Sequence, residues 1–247
     1  MSDVVRIAMW SGPRNISTAM MRAFENRADT AVWDEPFYAA YLAMTGIDHP
    51  MREEVIAAGP ADWREVVARL VGPVPDGVRV FYHKHMTHHM IPAIDRTWID
   101  RVTSCFLIRA PEQVLASYTK KREDVTLADI GFAQQAEIFD RVAGRLGTAP
   151  PVIDAEDVLR DPRGTLSGLC AACAIPFDEA MLAWPAGRRA SDGVWAAHWY
   201  ATVERSTGFA PYRPREVTLA PRLAAIAEEA RGYYERLRPY RIGVSTY

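Results

Sequence analysis

The sequence has few lysines and few cysteines, and its charges nearly balance. Only three of its 29 basic side chains are lysine, and 31 acidic side chains leave a net charge of −2. This balance gives no electrostatic footprint for nucleic acid or for an anionic membrane, so we expect neither partner. Three cysteines are too few, and odd in number, for a disulfide scaffold, which indicates a reducing compartment.

Long apolar runs are also missing. No run approaches the roughly 18 apolar residues of a membrane-spanning helix. The opening residues, MSDVVRIAMW, lack the basic region and the long apolar stretch of a signal peptide, so we expect a cytoplasmic protein. Hydrophobic residues nevertheless make up 49% of the 247 residues, which allows a sizeable core. The length suits one α/β domain spanning 1–247.

Short apolar runs alternate with helical patterns along the chain. The runs are nearly continuous, as expected for strands buried on both faces of a parallel sheet. They span 4–10, 30–34, 78–83, 103–109 and 151–155. Helical patterns span about 15–27, 61–71, 111–120, 127–146, 162–173 and 219–237. The alternation predicts a three-layer α/β/α sandwich with a central, mostly parallel sheet. From about residue 184, weak periodicity predicts an irregular, lid-like part.

The joint between the first strand and the first helix carries groups that bind anions. Gly12 lets backbone approach a ligand closely, Arg14 offers a bidentate guanidinium, and Ser17 carries a hydroxyl. The first turn of a helix adds unpaired N–H groups and a partial positive charge. The predicted anion cradle comprises Gly12, Pro13, Arg14, Asn15, Ile16, Ser17 and Thr18. The alternative is a helix capped by Asn15, with Arg14 in solvent.

Two common nucleotide motifs are absent from this joint. The ATP-binding pattern G-x-x-x-x-G-K-[ST] fails, because Gly12 is followed by Ser17 without a second glycine or a lysine. The dinucleotide pattern G-x-G-x-x-G is missing as well. A kinase with a degenerate P-loop therefore stays a weak alternative. A non-catalytic module that binds a nucleotide or a partner is the alternative outside enzymes.

A second stretch, CFLIRAPEQVLASY at 105–118, also places anion-binding side chains where a strand is followed by a helix. A strand ends in Arg109, and Ser117 lies about two turns into the helix that follows. An arginine at a strand tip and a serine on the adjoining helix suit one phosphate group. The alternative is an Arg109 paired with Glu112 or Asp124. Two cradles at the ends of two strands suit a ligand with two separated anionic groups.

The two stretches SGPRNISTA and FLIRAPEQVLASY together resemble the sulfotransferases that use 3′-phosphoadenosine 5′-phosphosulfate (PAPS). The stretches WDEPFY, VIDAEDVLRDPRGTLSGLC and HWYATVERSTGF also look like bacterial members, so the resemblance covers about 5–215. It implies a P-loop-containing nucleotide hydrolase-like fold. It also implies PAPS as co-substrate, a small-molecule acceptor with a hydroxyl or amine, and no required metal.

The resemblance assigns roles to the two cradles. The first loop would hold the 5′-phosphosulfate, and the pair of Arg109 and Ser117 would hold the 3′-phosphate. Many family members have lysine where Arg14 stands, and arginine does not readily give up a proton. Ser206 in ERSTGF is the nearest equivalent of the C-terminal loop that covers the 3′-phosphate in many relatives.

Sulfuryl transfer needs a base for the acceptor's proton and stabilisation of charge on the leaving oxygens. Glu35 follows the second strand and is the first candidate base, with Asp34 as the alternative. One of these carboxylates could instead cap the helix that Pro36 introduces. After the third strand we expect Lys84 to stabilise charge and His85 to act as a secondary base or to position the acceptor. Lys84 as an exposed tip residue is the other interpretation.

Some further signals have more than one interpretation. Four of the six histidines lie within 83–89, but without an H-E-x-x-H pattern or a nearby cysteine, so we expect no metal site. The CAAC stretch at 170–173 falls in a helical pattern and predicts packing rather than redox chemistry. Four aromatic residues of the C-terminal part could line a pocket or form a small core. They are Trp184, Trp195, Trp199 and Tyr200.

Overall fold

The computed structural model of the protein describes residues 4–120, 124–214 and 216–243. Five strands form one parallel sheet in the order β2-β3-β1-β4-β5. The strands are β1 (Val5–Ser11), β2 (Thr30–Asp34), β3 (Val80–Met86), β4 (Thr103–Ile108) and β5 (Val152–Asp154). The predicted α/β sandwich around a parallel sheet is confirmed.

Helices connect the strands and cover both faces of the sheet. They are α1 (Ser17–Glu25), α2 (Tyr38–Thr45), α3 (Arg52–Ala58), α4 (Trp63–Leu70), α5 (Pro111–Tyr118), α6 (Leu127–Ile130), α7 (Phe132–Leu146), α8 (Ala155–Arg160), α9 (Pro162–Ala172), α10 (Ala196–Trp199) and α11 (Pro221–Leu237). Helices α3, α8 and α10 lie outside the predicted helical spans, because each has at most seven residues and shows no clear helical period. Helix α2 is the helix that Pro36 introduces, and it begins at Tyr38.

The alternation of side chains along each strand builds two cores. Trp10 and Phe106 point to the face covered by α5, α7 and α11, whereas Met9 and Leu107 point to the face covered by α1 and α9. All four side chains are fully buried. The nearly continuous apolar strands are therefore explained by a sheet that is covered on both sides.

The third strand is longer than the sequence predicts. We predicted a strand over 78–83, but β3 continues to Met86, which pairs with Ser11 of β1. The polar run His83, Lys84 and His85 breaks the apolar pattern and hides this extension. These three residues therefore lie inside a central strand and alternate between its two faces, rather than following the strand in a loop.

The predicted helix over 127–146 is interrupted at Gly131. This glycine has a φ of 68°, and a side chain there would collide with the Thr87 hydroxyl and the backbone of His88. The chain therefore ends α6 and begins α7 at this point, because L-residues with a side chain disfavour the left-handed conformation. The break carries the start of α7 past the carboxyl edge of β3.

Gly12 is needed for a backbone contact between the first loop and α6. A Cβ on Gly12 would lie 2.5 Å from the carbonyl oxygen of Ile130. Gly12→Ala should therefore lower the free energy of unfolding by about 1–3 kcal/mol, as overpacking does, when measured by urea denaturation. The control is Gly144→Ala inside α7, where a Cβ meets nothing within 4 Å. That change should stabilise the protein by about 0.5–1 kcal/mol, and equal effects at both glycines would contradict this explanation.

Candidate active site

The carboxyl ends of four strands open into one cavity of about 360 Å³, the size of a small-ligand site. The cavity has two ends, which lie on either side of the central strand β1. One end lies next to β4, and the other end lies next to β2 and β3. In parallel sheets, ligands bind at this edge, where neighbouring connections leave in opposite directions. The predicted site residues that line the cavity are Pro13, Arg14, Asn15, Ile16, Ser17, Thr18, Glu35, Lys84, Arg109, Ser117 and Ser206. Gly12 is the one predicted cradle residue that is not part of this lining.

The first loop reaches the cavity in a strained conformation. The backbone φ is 59° at Arg14 and 49° at Ile16. Residues with a side chain seldom adopt a positive φ, and a β-branched residue such as Ile16 adopts it rarely. Asn15 does not cap α1, because its Nδ2 donates to the Leu107 carbonyl of β4 at 2.6 Å. The cap position is Ile16, which has no capping side chain, so the N–H groups of the first turn of α1 are open to a ligand. The interpretation of this loop as an ordinary Asn-capped helix start is wrong.

The two predicted anion cradles meet. Arg14 Nε donates to Ser117 Oγ at 3.1 Å, and Arg109 Nη1 donates to the Arg14 carbonyl at 2.6 Å. The two carboxylates considered as partners of Arg109 pair elsewhere, Glu112 with Arg231 and Asp124 with Arg222.

Arg14 is a partly buried cation for which the described part of the chain provides no counterion. It forms no ion pair with any residue that the structure describes. Burial lowers the pKa of its guanidinium, because a charge loses hydration there. A bound anion would supply the missing opposite charge. Arg14 therefore fits a phosphate or sulfate group better than it fits a purely structural role.

Lys84 forms the centre of a buried polar cluster at the other end of the cavity. Its Nζ lies 2.8 Å from Asp34 Oδ1, 2.6 Å from Glu35 Oε1 and 2.6 Å from Tyr200 Oη. These three contacts use all three N–H groups of the ammonium. Only 1% of Lys84 is exposed, so the interpretation of Lys84 as an exposed tip residue is wrong.

Glu35 is held at the cavity by its backbone as well as by Lys84. Its φ is 41°, and its N–H donates to the Lys84 carbonyl at 2.9 Å. Burial raises the pKa of the Glu35 carboxyl, while the ammonium of Lys84 opposes this rise. A carboxyl with a raised pKa, in a cavity, has the properties of a general base.

Asp34 plays a different part from Glu35. Its second oxygen, Oδ2, accepts from Tyr200 Oη at 2.7 Å and from the Gly193 N–H at 3.4 Å. Both oxygens are thus bonded inside the cluster, and Asp34 does not line the cavity. It caps no helix either, since α2 begins after Phe37 without a side-chain cap.

The part of the chain from about residue 184 to the start of α11, here called the C-terminal segment, completes the cluster through Tyr200. Trp195 Nε1 donates to Tyr200 Oη at 3.2 Å, and the segment is tied to α1 by a buried ion pair of Arg22 with Asp192 at 2.6 Å. The sequence alone allows the four aromatic residues of this segment either to line a pocket or to form a small core. The structure places Trp199 and Tyr200 on the cavity wall, whereas Trp184 and Trp195 are buried in the core.

His85 does not reach the cavity. It is buried on the opposite face of β3 from Lys84, where its ring stacks on Trp10 at 4.4 Å and lies near Phe37 and Trp98. Burial lowers the pKa of its imidazole. The prediction that placed His85 beside Lys84 assumed a loop after the strand, and the longer β3 corrects that assumption.

Ser206 lines the cavity from the C-terminal segment. Its Oγ accepts from Trp184 Nε1 at 3.1 Å and donates to the Val203 carbonyl at 2.7 Å. These bonds hold the hydroxyl in a fixed orientation, with one acceptor position remaining. Ser206 therefore anchors the segment.

The cysteines pack in the core. Cys105, Cys170 and Cys173 are buried, and the Sγ atoms of Cys105 and Cys173 lie 3.4 Å apart. In the described residues, no three His, Cys, Asp or Glu side chains are grouped as metal ligands. No helix within the same ranges is both long and apolar enough to cross a bilayer.

The fold and the cavity define an α/β protein with a cleft, lined by Arg14 and Arg109, at the carboxyl edge of a parallel sheet. The sulfotransferase domain family matches residues 5–225, and the chain belongs to this family. The resemblance of the stretches SGPRNISTA and FLIRAPEQVLASY to sulfotransferases is therefore confirmed at the level of the family.

Solved sulfotransferases share the fold. The sulfotransferase domain from the curacin biosynthetic pathway has 16% identity and a TM-score of 0.52, over 93% of this chain and 98% of that domain. The sulfotransferase from Alicyclobacillus acidocaldarius has 14% identity and a TM-score of 0.54, over 97% of this chain and 98% of that one. At these identities the similarity shows the fold alone.

A sequence relative is longer than this chain. The branched-chain-amino-acid aminotransferase-like protein 1 of Arabidopsis thaliana is 38% identical over 210 residues. The match covers 85% of this chain but only 37% of that protein. The chain therefore spans little more than a third of the length of this curated relative.

Proposed function

We propose that the protein transfers a sulfuryl group from PAPS to a hydroxyl or amine of a small-molecule acceptor. The observation that carries this proposal is the meeting of Arg14, Ser117 and Arg109 in the cavity that also contains Glu35. A ligand with two anionic groups could contact both cradles, while its transferable group faces the carboxylate. Two features support an anionic ligand of this kind: Arg14 has no ion-pair partner among the described residues, and the start of α1 is uncapped.

The chain's own residues divide the chemistry between the two ends of the cavity. Bound PAPS supplies the activated sulfuryl group. Arg14 and the first N–H groups of α1 bind the phosphate oxygens on which negative charge develops. Arg109 and Ser117 orient the nucleotide through its 3′-phosphate. Because arginine keeps its proton, Arg14 acts as a charge and not as an acid.

Proton removal is assigned to Glu35. Its carboxylate takes the proton of the acceptor hydroxyl or amine, and Lys84 holds this carboxylate in position at 2.6 Å. With all three N–H groups of Lys84 in use, the lysine would reach the transferred group only by releasing a partner. We therefore treat Lys84, Asp34 and Tyr200 as positioning residues for Glu35.

Nucleotide binding tests the proposal directly. We expect adenosine 3′,5′-bisphosphate to bind with micromolar affinity in calorimetry without Mg²⁺, and Arg109→Ala to weaken binding at least about 30-fold, since charge-assisted bonds to a phosphate are worth roughly 2–3 kcal/mol. The control is Arg101→Ala, which changes an exposed arginine outside the cavity. Absence of binding heat, or tighter binding of Mg²⁺-ATP than of the bisphosphate, would refute the proposal.

A further inference from the structure

The end of the cavity carried by β2 and β3 has walls made largely of rings. We call it the ring-lined end. Its lining includes Glu35, Tyr38, His49, Lys84, His89 and Trp199. Tyr38 Oη and His49 Nδ1 are hydrogen-bonded at 2.5 Å, and the His49 and Trp199 rings stack with their centroids 6.0 Å apart. Such walls favour a flat organic molecule, because aromatic rings stack on flat groups.

At this end, the His89 ring has a nitrogen to which the described residues offer no hydrogen bond. The ring lies between Tyr38 and Tyr41, with centroid distances of 4.7 and 4.8 Å, and only 2% of the residue is exposed. Its Nδ1 is buried without a hydrogen-bond partner. A buried N–H without an acceptor costs about 1–3 kcal/mol, so the ring proton is better placed on Nε2. His89 then offers an N–H donor to whatever occupies the cavity.

Among the described residues that line this end, no lysine or arginine is available to pair with an anionic acceptor. The charged lining residues of this end are Glu35 and Lys84, and all three N–H groups of Lys84 are used within the cluster. Burial also lowers the pKa of His89 well below its usual range, which keeps the ring neutral. A carboxylate or phosphate on the acceptor would lose its hydration here without an opposite charge.

We propose that the acceptor is an uncharged, flat hydroxyl compound with a second oxygen, and that this oxygen accepts a hydrogen bond from His89 Nε2. This inference rests on the proposed function. In the transfer, the acceptor oxygen bonds to sulfur, its proton passes to Glu35, and the bond from sulfur to the phosphate oxygen breaks with its electron pair. His89 stays neutral and selects the acceptor without taking part in this exchange.

Three phenols test the proposal, used as probes in calorimetry with the enzyme saturated by adenosine 3′,5′-bisphosphate. They are 4-hydroxyacetophenone, which is neutral and has a second oxygen, 4-ethylphenol, which lacks that oxygen, and 4-hydroxybenzoate, which is an anion. We expect the ketone to bind about tenfold more tightly than 4-ethylphenol, the value of roughly one hydrogen bond. The benzoate should bind most weakly. Equal or tighter binding of the benzoate would overturn the proposal.

A variant isolates the role of His89. His89→Phe keeps a ring between Tyr38 and Tyr41 but removes the Nε2 donor, so the tenfold preference for the ketone should disappear while 4-ethylphenol binds as before. The matched control is His85→Phe, another buried stacked imidazole, which lies outside the cavity and should keep the preference. A preference that survives His89→Phe contradicts the proposal. Failure of the bisphosphate itself to bind would instead refute the proposed function.

Discussion

Glu35→Gln should lower the rate of sulfuryl transfer about 10²–10⁴-fold, the usual contribution of a general base. The amide has the shape of the carboxylate and can still accept from Lys84, but it cannot take the acceptor's proton. The affinity for adenosine 3′,5′-bisphosphate should stay within about twofold, because Glu35 lies at the end of the cavity away from Arg109. Transfer of label from PAPS to a panel of small acceptors, after bisphosphate binding has been measured, provides the test.

The pH dependence of the same reaction gives a second readout. Glu35 is active only when deprotonated, and burial raises its pKa above the usual glutamate range. The value of kcat/KM should therefore fall as the pH drops through this raised pKa, and the acid limb should be lost in Glu35→Gln. Glu53→Gln, at an exposed glutamate on α3, is the control. A rate within about fivefold of the parent would exclude Glu35 as the base.

Lys84→Met should lower the free energy of unfolding by about 3–5 kcal/mol, the effect of removing one partner from a buried ion pair. Asp34 and Glu35 would remain as buried carboxylates without their shared cation. Tyr200 would lose its lysine partner in the same change. For a domain of this size the melting temperature should drop by roughly 6–20 °C, as measured by calorimetry.

Two comparisons make the Lys84 result specific. Lys120→Met changes an exposed lysine and should leave stability within about 0.5 kcal/mol of the parent. Adding Asp34→Asn to Lys84→Met removes one of the uncompensated charges and should recover part of the loss. If Lys84→Met were as stable as Lys120→Met, the cluster around Lys84 would have no role in holding the second and third strands to the C-terminal segment.

Residues close together in the chain form the end of the cavity that contains Arg14 and Arg109, which is why the sequence alone could place them together. The first loop lies between a strand and the helix that follows it, so its groups share an end of one helix whatever the rest of the fold is. The same holds for Arg109 and Ser117, a strand tip and its own helix. The carboxyl ends of parallel strands lie at the same edge of a sheet, so both cradles had to lie at that edge. The predicted fold followed from the same alternation of apolar runs and helices.

The cluster around Lys84 could not be predicted from the sequence, because it depends on contacts between distant parts of the chain. Glu35, Lys84 and Tyr200 come from three separate segments, and only folding brings the lysine within hydrogen-bond distance of both carboxylates. The end of β3 was misplaced because polar residues inside a strand look like a loop when their buried partners are unknown. That register decides that Lys84 faces the cavity while His85 packs against Trp10.

By itself, the sequence determined the fold class and the placement of Arg14, Arg109 and Glu35 at one edge of the sheet, because each depends on local patterns whose positions relative to a parallel sheet are nearly invariant. Only the tertiary structure decided that Lys84 lines the cavity while the adjacent His83 and His85 do not. It also decided that a tyrosine 116 residues away from Lys84 completes the hydrogen bonds of the lysine. The reason is physical: a buried charge is stable only beside partners that compensate for its lost hydration, and those partners can come from any segment of the chain.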